Sequence, residues 1–375
     1  MTPELRSRIP ILEHAIPMNN CSQAPQTDAT RAAAAGYLES WNRDGMDWER
    51  WMGEVIAARE EFARLINAEP DEVAAVTSVS HATAVVASAM DFTDVRNGVV
   101  ASGAEFPGVG HVWMAQERHG ARVTWVPLRD GVLTAADYEP LISDQTRIVS
   151  AAHAYFLNGA VQDVRAIAQL AHGRGALIYV DAYQSAGIVP IDVRAMEVDF
   201  LASGTLKFLM GTPGIAFLYV RRQLIQHLEP TVTGWFGRAN PFAFGPMTLD
   251  WSPTASRFEE GTPSVFSAYV SRAGMGMLRD VGMEAVVAHG RALSAHLERE
   301  GERLGLTVHG RGAPAGRTTT TGFVVPDAHG VEARLRRRGI IASARGPVLR
   351  LAPHFYSTID DVDRALFALR QEVDS

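Results

Sequence analysis

Lysine is almost absent from this sequence of 375 residues. Of its 35 lysine and arginine residues, only Lys207 is a lysine, and it stands in the apolar segment SGTLKFLMGTPG. An ammonium group is poorly solvated there, and unlike a guanidinium it can lose its proton and become a nucleophilic amine. The sequence therefore indicates Lys207 as a candidate Schiff-base lysine. The ordinary alternative is a surface lysine left over in an arginine-rich chain.

Cysteine is equally scarce, because Cys21 is the only one. A single cysteine excludes an intrachain disulfide and a cysteine-rich metal site, and we expect no metal. Cys21 stands in an N-terminal loop, where we interpret it as a small buried hydrophobic residue. The alternative is that this loop borders an active site.

Long apolar runs and a basic excess are also missing. No stretch approaches the roughly 18 apolar residues of a membrane span, and the start MTPELRSRIP has no signal-peptide core. A net charge of -7 and a pI near 6.0 provide no basic footprint for nucleic acid. The run RLRRR is interpreted as a solvated helix surface. We expect a cytoplasmic protein without nucleic-acid or membrane partners.

Short strand-like runs alternate with helical patterns between about residues 72 and 220. The runs VAAVTS, NGVVAS, RVTWVP, TRIVSAAHA and ALIYVD are apolar on successive residues, which is typical of a mainly parallel sheet buried on both faces. From about residue 246 the pattern predicts a smaller α+β unit. We therefore predict an α/β fold with an N-terminal arm and substrate loop (1–20), a large domain (21–245) and a small C-terminal domain (246–375).

Functional side chains follow several predicted strands, at the sheet edge where α/β proteins bind ligands. Asp181 ends the run ALIYVD and could hold a protonated heteroaromatic nitrogen, with Gln184 close behind it. Val79 and Ser80 start a helix whose free amides could hold a phosphate, and Phe106 could stack on a flat cofactor. Taken alone, each residue also fits an ordinary role as a cap, an arginine partner or a core residue.

Together with Lys207, these positions predict a pyridoxal phosphate site. The lysine would form the imine, Asp181 would hold the ring nitrogen, and the helix amides would hold the phosphate. The hydroxyl groups of Ser203, Thr205 and Thr262 lie in loops that could also meet the phosphate.

The order of motifs along the chain resembles that of a known family. The motifs are SHAT, EFPG, VDAYQSAG, SGTLKFLMGTPGIAFLYV, GWFG, RFEEGTPS and VLRLAPHFYSTIDDVDRAL. This order resembles the class V aminotransferase superfamily of fold type I pyridoxal phosphate enzymes, which includes cysteine desulfurases, selenocysteine lyase and kynureninase. The resemblance covers nearly the whole chain and implies a homodimer with shared active sites that acts on a small amino acid.

The resemblance also implies roles for individual positions. Lys207 would bind the cofactor covalently and move the Cα proton, while Asp181 would pair with the pyridine nitrogen. The other implied contacts are Gln184 with the ring hydroxyl, Phe106 with the ring face, Val79, Ser80, Thr205 and Trp235 with the phosphate, Thr262 with the phosphate across a dimer interface, and Arg350, Asn19 and Asn20 with the substrate.

Two departures from the family pattern bear on the reaction. Desulfurases carry a sulfur-accepting cysteine upstream of the carboxylate-binding arginine, and the segment at 331–351 has none, so persulfide-forming desulfurase activity is not expected. Leu206 and Phe156 replace residues that are often polar in relatives. We expect a lyase that cleaves a C–S or similar bond. The alternatives are an aminotransferase, an epimerase or a catalytically silent binding module.

Overall fold

The computed structural model describes residues 2–310, 312–313 and 315–373. Its strands are β1 (Ile16–Pro17), β2 (Val73–Val76), β3 (Gly98–Ser102), β4 (Arg122–Val126), β5 (Thr146–Ala152), β6 (Leu177–Asp181), β7 (Phe200–Gly204), β8 (Ala216–Val220), β9 (Thr307–Val308), β10 (Thr321–Val324), β11 (Ile340–Ile341), β12 (Ser343–Arg345) and β13 (Val348–Leu351).

The α-helices of these residues are α1 (Pro3–Ser7), α2 (Asp28–Asp44), α3 (Trp48–Leu65), α4 (Val79–Ser88), α5 (Pro107–Ala115), α6 (Ala135–Tyr138), α7 (Val164–Gly173), α8 (Arg222–Ile225), α9 (Val265–Val281), α10 (Met283–Arg303), α11 (Ala328–Arg337) and α12 (Ile359–Val373). Short 3₁₀ helices cover Pro10–Glu13, Pro70–Glu72, Gln116–His119, Glu139–Leu141, Trp235–Gly237, Pro241–Ala243 and Ala255–Phe258.

A large central sheet has the strand order β2-β8-β7-β6-β5-β3-β4. Strands β4, β3, β5, β6 and β7 pair in parallel, while β8 runs antiparallel to both β7 and β2. Strands β2, β7 and β8 are buried at every residue, because helices cover both faces of the sheet. The predicted α/β fold with a mainly parallel sheet is confirmed. Its parallel strands bring Ser102, Ala152, Asp181 and Gly204 to one edge.

The C-terminal part of the chain forms a smaller α+β unit around an antiparallel sheet of order β12-β13-β10-β9. Its core includes Leu293 from α10, Phe323 from β10 and Leu366 from α12, together with Ile16 near the N-terminus. Strand β1 pairs in parallel with β11. The N-terminal arm is therefore tied to this smaller unit.

Helix α9 packs against α2 and α3, and its Ala268 and Met275 belong to the same core as the large sheet. Although α9 lies after residue 246 in the sequence, it packs on the larger unit. The division into domains at 245/246 stays a prediction. Within the described residues, no helix combines the length and apolar character needed to cross a bilayer.

Candidate active site

Lys207 lies in the turn that follows β7. Its amine nitrogen stands 4.0 Å from the ring centroid of Tyr183 and 5.5 Å from that of Phe106. The residue keeps some contact with solvent, but the atoms packed around the amine desolvate it. This desolvation lowers the pKa of Lys207 to about 8, against the opposing attraction of Asp181. Roughly a tenth of the amine is therefore unprotonated and nucleophilic at pH 7, far more than for an ordinary lysine.

Asp181 is the last residue of β6, between β5 and β7. The residue is only 6% exposed, and its Oδ1 accepts a hydrogen bond from the amide of Tyr183 at 2.8 Å. Burial raises its pKa, while the Tyr183 amide and Lys207 act in the opposite direction. Within the described chain, Oδ2 has no hydrogen-bond donor. It is free to accept a bond from a ligand N–H.

Gln184, three residues after Asp181, has a side-chain oxygen without a hydrogen-bond partner among the described residues. Its Nε2 donates to the carbonyl oxygen of Cys21 at 3.0 Å, whereas its Oε1 is buried and accepts no hydrogen bond from the described residues. Buried polar atoms in folded proteins are nearly always hydrogen-bonded. The lone Oε1 therefore points to a ligand with a donor group.

The start of helix α4 leaves two backbone amides without an acceptor in the described chain. Ser78 caps the helix by accepting a hydrogen bond from the His81 amide at 3.1 Å, and the amides of Val79 and Ser80 have no acceptor among the described residues. A Cβ atom at Gly108 would lie 2.6 Å from Ser80 Oγ, so glycine keeps the space beside this hydroxyl open. Free amides at a helix N-terminus favour a phosphate.

Arg350 lies on β13 and is only 1% exposed. Its Nη1 donates to the carbonyl oxygen of Phe156 at 2.7 Å, and its Nη2 donates to Ser22 Oγ at 2.8 Å and Ser343 Oγ at 2.6 Å. No carboxylate in the described chain lies within ion-pair distance of this guanidinium. A buried cation without a counter-charge is costly, so the arrangement favours an anionic ligand here.

Comparison with known proteins identifies the family. Residues 39–364 match the family model for class V aminotransferases. The chain belongs to this family. It is 36% identical over 365 residues to the uncharacterized aminotransferase YcbU of Bacillus subtilis (strain 168), covering 97% of this chain and 96% of that protein. It is also 31% identical over 278 residues to a probable cysteine desulfurase of Halalkalibacterium halodurans, covering 72% and 67%.

The fold has close counterparts among solved structures. The apo cysteine desulfurase from Thermococcus onnurineus NA1 superimposes with a TM-score of 0.88 at 22% identity, over 100% of this chain and 98% of that one. Family and structure together confirm the expected superfamily, fold type and enzymatic nature of the chain.

Class V aminotransferases use pyridoxal phosphate, and the described residues of this member fit that cofactor. A single lysine amine with a lowered pKa lies near a buried carboxylate with one free oxygen. The orphaned Oε1 of Gln184 and the free amides at the start of α4 supply the remaining polar contacts such a group needs. The cofactor prediction is confirmed, while the role of each residue toward it stays a prediction.

Ser203 and Thr205 are buried and hydrogen-bonded within the protein. Thr205 Oγ1 donates to the carbonyl oxygen of Thr212 at 3.0 Å and shares a hydrogen bond with Ser271 Oγ at 2.7 Å. Ser203 Oγ donates to the carbonyl oxygen of Gly204 at 2.9 Å. These bonds fix the turn that carries the lysine; the predicted phosphate contacts of both residues remain predictions.

Asn19 and Asn20 join the N-terminal arm to the smaller sheet. Asn20 is fully buried. Its side-chain Nδ2 donates to the carbonyl oxygen of Ala352 at 2.7 Å, and its Oδ1 accepts a hydrogen bond from the Tyr356 hydroxyl at 2.8 Å. Asn19 forms a backbone bridge to Ala352. The Asn20 side chain is thus engaged in internal bonds, and its predicted substrate contact stays a prediction.

Trp235 and Thr262 lie in the segments between β8 and α9. Trp235 packs in an aromatic cluster with Trp48, Phe242 and Phe244. Thr262 is exposed just before α9 and makes no hydrogen bond to other described residues. The predicted phosphate contact of Thr262 requires a second subunit, and for both residues it stays a prediction.

Tyr183 and Glu105 were missed by sequence reasoning, although both stand inside motifs named above. The ring of Tyr183 covers the Lys207 amine, and Gly204 leaves room for that ring, since a Cβ at 204 would collide with it. Glu105 precedes Phe106 and is buried near Asp181. The sequence carried one signal for each residue. Tyr183 stands two positions after the strand-end Asp181, and Glu105 is an acid that follows another strand.

The carbonyl oxygen of Cys21 accepts the hydrogen bond of Gln184, while the alternative that its loop borders an active site stays a prediction. The residue is buried, and it interacts electrostatically with both Lys207 and Arg350. The backbone of the same loop contacts the lysine segment, where the Ala24 amide donates to the carbonyl oxygen of Leu206 at 2.9 Å.

Proposed function

We propose that this protein is a pyridoxal phosphate lyase that acts at the α-carbon of a small amino acid and cleaves a C–S or similar bond at its β-carbon. The observation that carries the proposal is the setting of Lys207. The only lysine of the chain has a pKa lowered to about 8 and lies between two aromatic rings, close to the buried carboxylate of Asp181.

Bound pyridoxal phosphate withdraws electrons from the bonds at the substrate α-carbon. In this chain, Asp181 would hold the ring nitrogen protonated through its free oxygen, and Gln184 Oε1 would accept the hydrogen bond of the ring hydroxyl. The amides of Val79 and Ser80 would hold the phosphate at the positive end of α4. Phe106, which is 43% exposed, would cover one face of the ring.

Lys207 would act as the general base once its amine is free. With a pKa of about 8, roughly one tenth of the amine is unprotonated at pH 7, and the fraction rises steeply above that pH. The amine would take the proton from the α-carbon. Desolvation is what makes this possible, since it disfavours the charged form.

Arg350 would bind the substrate α-carboxylate. Its guanidinium is already oriented by Phe156, Ser22 and Ser343, and a carboxylate would supply its missing counter-charge. Charge-assisted hydrogen bonds of this kind both bind and orient a substrate.

Elimination is favoured over sulfur transfer because no cysteine is placed to accept sulfur from the substrate. The segment at 331–351 has no cysteine, and Cys21 is buried at 1% exposure, where it cannot deliver sulfur to a protein acceptor. Elimination needs no such acceptor. With cysteine and water the products would be pyruvate, ammonia and hydrogen sulfide.

An aminotransferase is the second candidate, favoured by the 36% identity to YcbU over nearly the whole chain. The two functions separate when purified enzyme is incubated with cysteine-class amino acids without a keto acid. Release of pyruvate, ammonia and sulfide supports the lyase. Formation of keto acid only after a second keto acid is supplied would establish the aminotransferase instead, and racemisation of the substrate without either would establish an epimerase.

We also propose a homodimer with shared sites, working in the cytoplasm. The support is the exposed Thr262 together with an apolar loop in which Phe244 is 71% and Met247 is 95% exposed, since a large exposed apolar surface marks an interaction site. Light scattering of the purified protein tests the proposal. A mass of twice 40.7 kDa is expected, and a monomer would contradict it.

A further inference from the structure

Glu105 is a second buried carboxyl group at the edge of the large sheet. It follows β3 and is 7% exposed. Its Oε1 accepts a hydrogen bond from Ser150 Oγ of β5 at 2.9 Å, and its Oε2 is buried without a hydrogen-bond partner among the described residues. Because β5 lies between β3 and β6, the side chain of Glu105 extends toward the strand that carries Asp181.

The surroundings of Glu105 hold no compensating positive charge. Within the described chain, no arginine, lysine or histidine lies within ion-pair distance of it. The titratable groups that interact with it electrostatically are Asp181 on β6 and the hydroxyls of Tyr138, Tyr155 and Tyr179. A buried carboxylate with one hydrogen bond and no counter-ion is strongly disfavoured. Burial, and then the charge of Asp181, raise the pKa of Glu105 well above its usual range.

We propose that Glu105 is a positioning residue that works as a protonated carboxylic acid. Its hydrogen bond with Ser150 holds the backbone that leads directly into Phe106. Its neutrality leaves Asp181 as the ionised carboxyl group at this edge, because two neighbouring buried carboxylates would not both ionise. The inference goes beyond the proposed function and rests on it for the roles of Asp181 and Phe106.

The protonation state of Glu105 can be measured without any turnover. Infrared spectra are recorded at neutral pH for the wild-type holoenzyme and for Glu105→Gln. The difference between the two spectra isolates the carbonyl stretch of a protonated Glu105. We expect this band in the wild type and its loss in the variant. If the wild type lacks the band, Glu105 is ionised and the proposal is overturned.

The positioning role is measured by cofactor affinity and by the absorbance spectrum of the bound cofactor as a function of pH. Glu105→Gln, a neutral isostere, is expected to stay within about twofold of the wild-type Kd with the same spectral titration, whereas Glu105→Leu loses the bond to Ser150 and is expected to bind about tenfold more weakly. A shifted spectral titration in Glu105→Gln, or wild-type behaviour in Glu105→Leu, would overturn the proposal.

Two controls keep the outcomes separate. Should Glu105→Leu fail to fold, Glu105→Asp replaces it, because its shorter acid cannot reach Ser150 and is expected to weaken cofactor binding likewise. A failure of the proposed function is distinct: the substrate assay would then show transamination or racemisation in place of elimination, while the infrared band of Glu105 would persist.

Discussion

The substitution Gly204→Ala tests whether the ring of Tyr183 lies over the Lys207 amine, because the ring packs directly against Gly204. The new Cβ would stand 2.6 Å from Cε2 of Tyr183 and closer still to Cζ and the hydroxyl oxygen. Gly204 ends a fully buried strand that pairs with β8, so its backbone cannot yield without breaking sheet bonds. The ring must therefore move away from the Lys207 amine. Overpacking of this kind costs about 1–3 kcal/mol.

The assay is chemical denaturation of the apoprotein, with Gly173→Ala as the matched control. Gly173 is the exposed last residue of α7, and a Cβ there meets nothing within 4 Å. We expect this control to leave stability unchanged or to raise it by up to about 1 kcal/mol, because alanine has the higher helix propensity. Gly204→Ala should lower stability by the amount given above.

A second substitution isolates the collision itself. Tyr183→Ala removes the ring, so the double variant with Gly204→Ala should be less destabilised than the two single effects combined, with a coupling of about 1 kcal/mol or more. Additive single effects, or a Gly204→Ala variant as stable as the Gly173→Ala control, would refute the placement of Tyr183 over the lysine.

Three further predictions follow from the charges and hydrogen bonds of the site. Arg350→Lys should raise KM at least about tenfold by losing the fork of donors, with an unchanged cofactor spectrum; an unchanged KM would contradict its role. Because the pKa of Lys207 is about 8 in the folded protein against an ordinary lysine value of 10.5, the apoprotein should gain up to about 3 kcal/mol of stability between pH 8 and 10.5, a gain absent from Lys207→Met. Gln184→Leu should weaken cofactor binding about tenfold, and an unchanged Kd would show that its buried Oε1 meets no ligand.

The strands and their ends could be predicted because burial on both faces leaves a direct signature in the sequence. Continuous apolar runs predicted the sheet, and the rule that ligands collect at the carboxyl ends of parallel strands predicted Asp181 as a site residue. The antiparallel direction of β8 could not be predicted, because its run GIAFLYV is as apolar as the runs of the parallel strands.

The side-chain environment of the site could not be predicted, because it depends on contacts between distant parts of the chain. The bond from Gln184 to Cys21 spans 163 residues, and that from Arg350 to Ser22 spans 328. Glu105 becomes informative only when β5 is seen to lie between its strand and that of Asp181. The sequence pattern likewise assigned everything after about residue 246 to the smaller unit, and it did not indicate that α9 packs on the larger one.

Borohydride reduction in the presence of pyridoxal phosphate tests the central claim most directly. Since the chain has one lysine, the reduced wild-type protein should carry one pyridoxyl group per chain, on the peptide that contains Lys207. Lys207→Arg, which keeps a positive charge but offers no nucleophilic amine, should carry none and lose turnover. An unmodified Lys207 in the wild type, or full turnover by Lys207→Arg, would contradict the account.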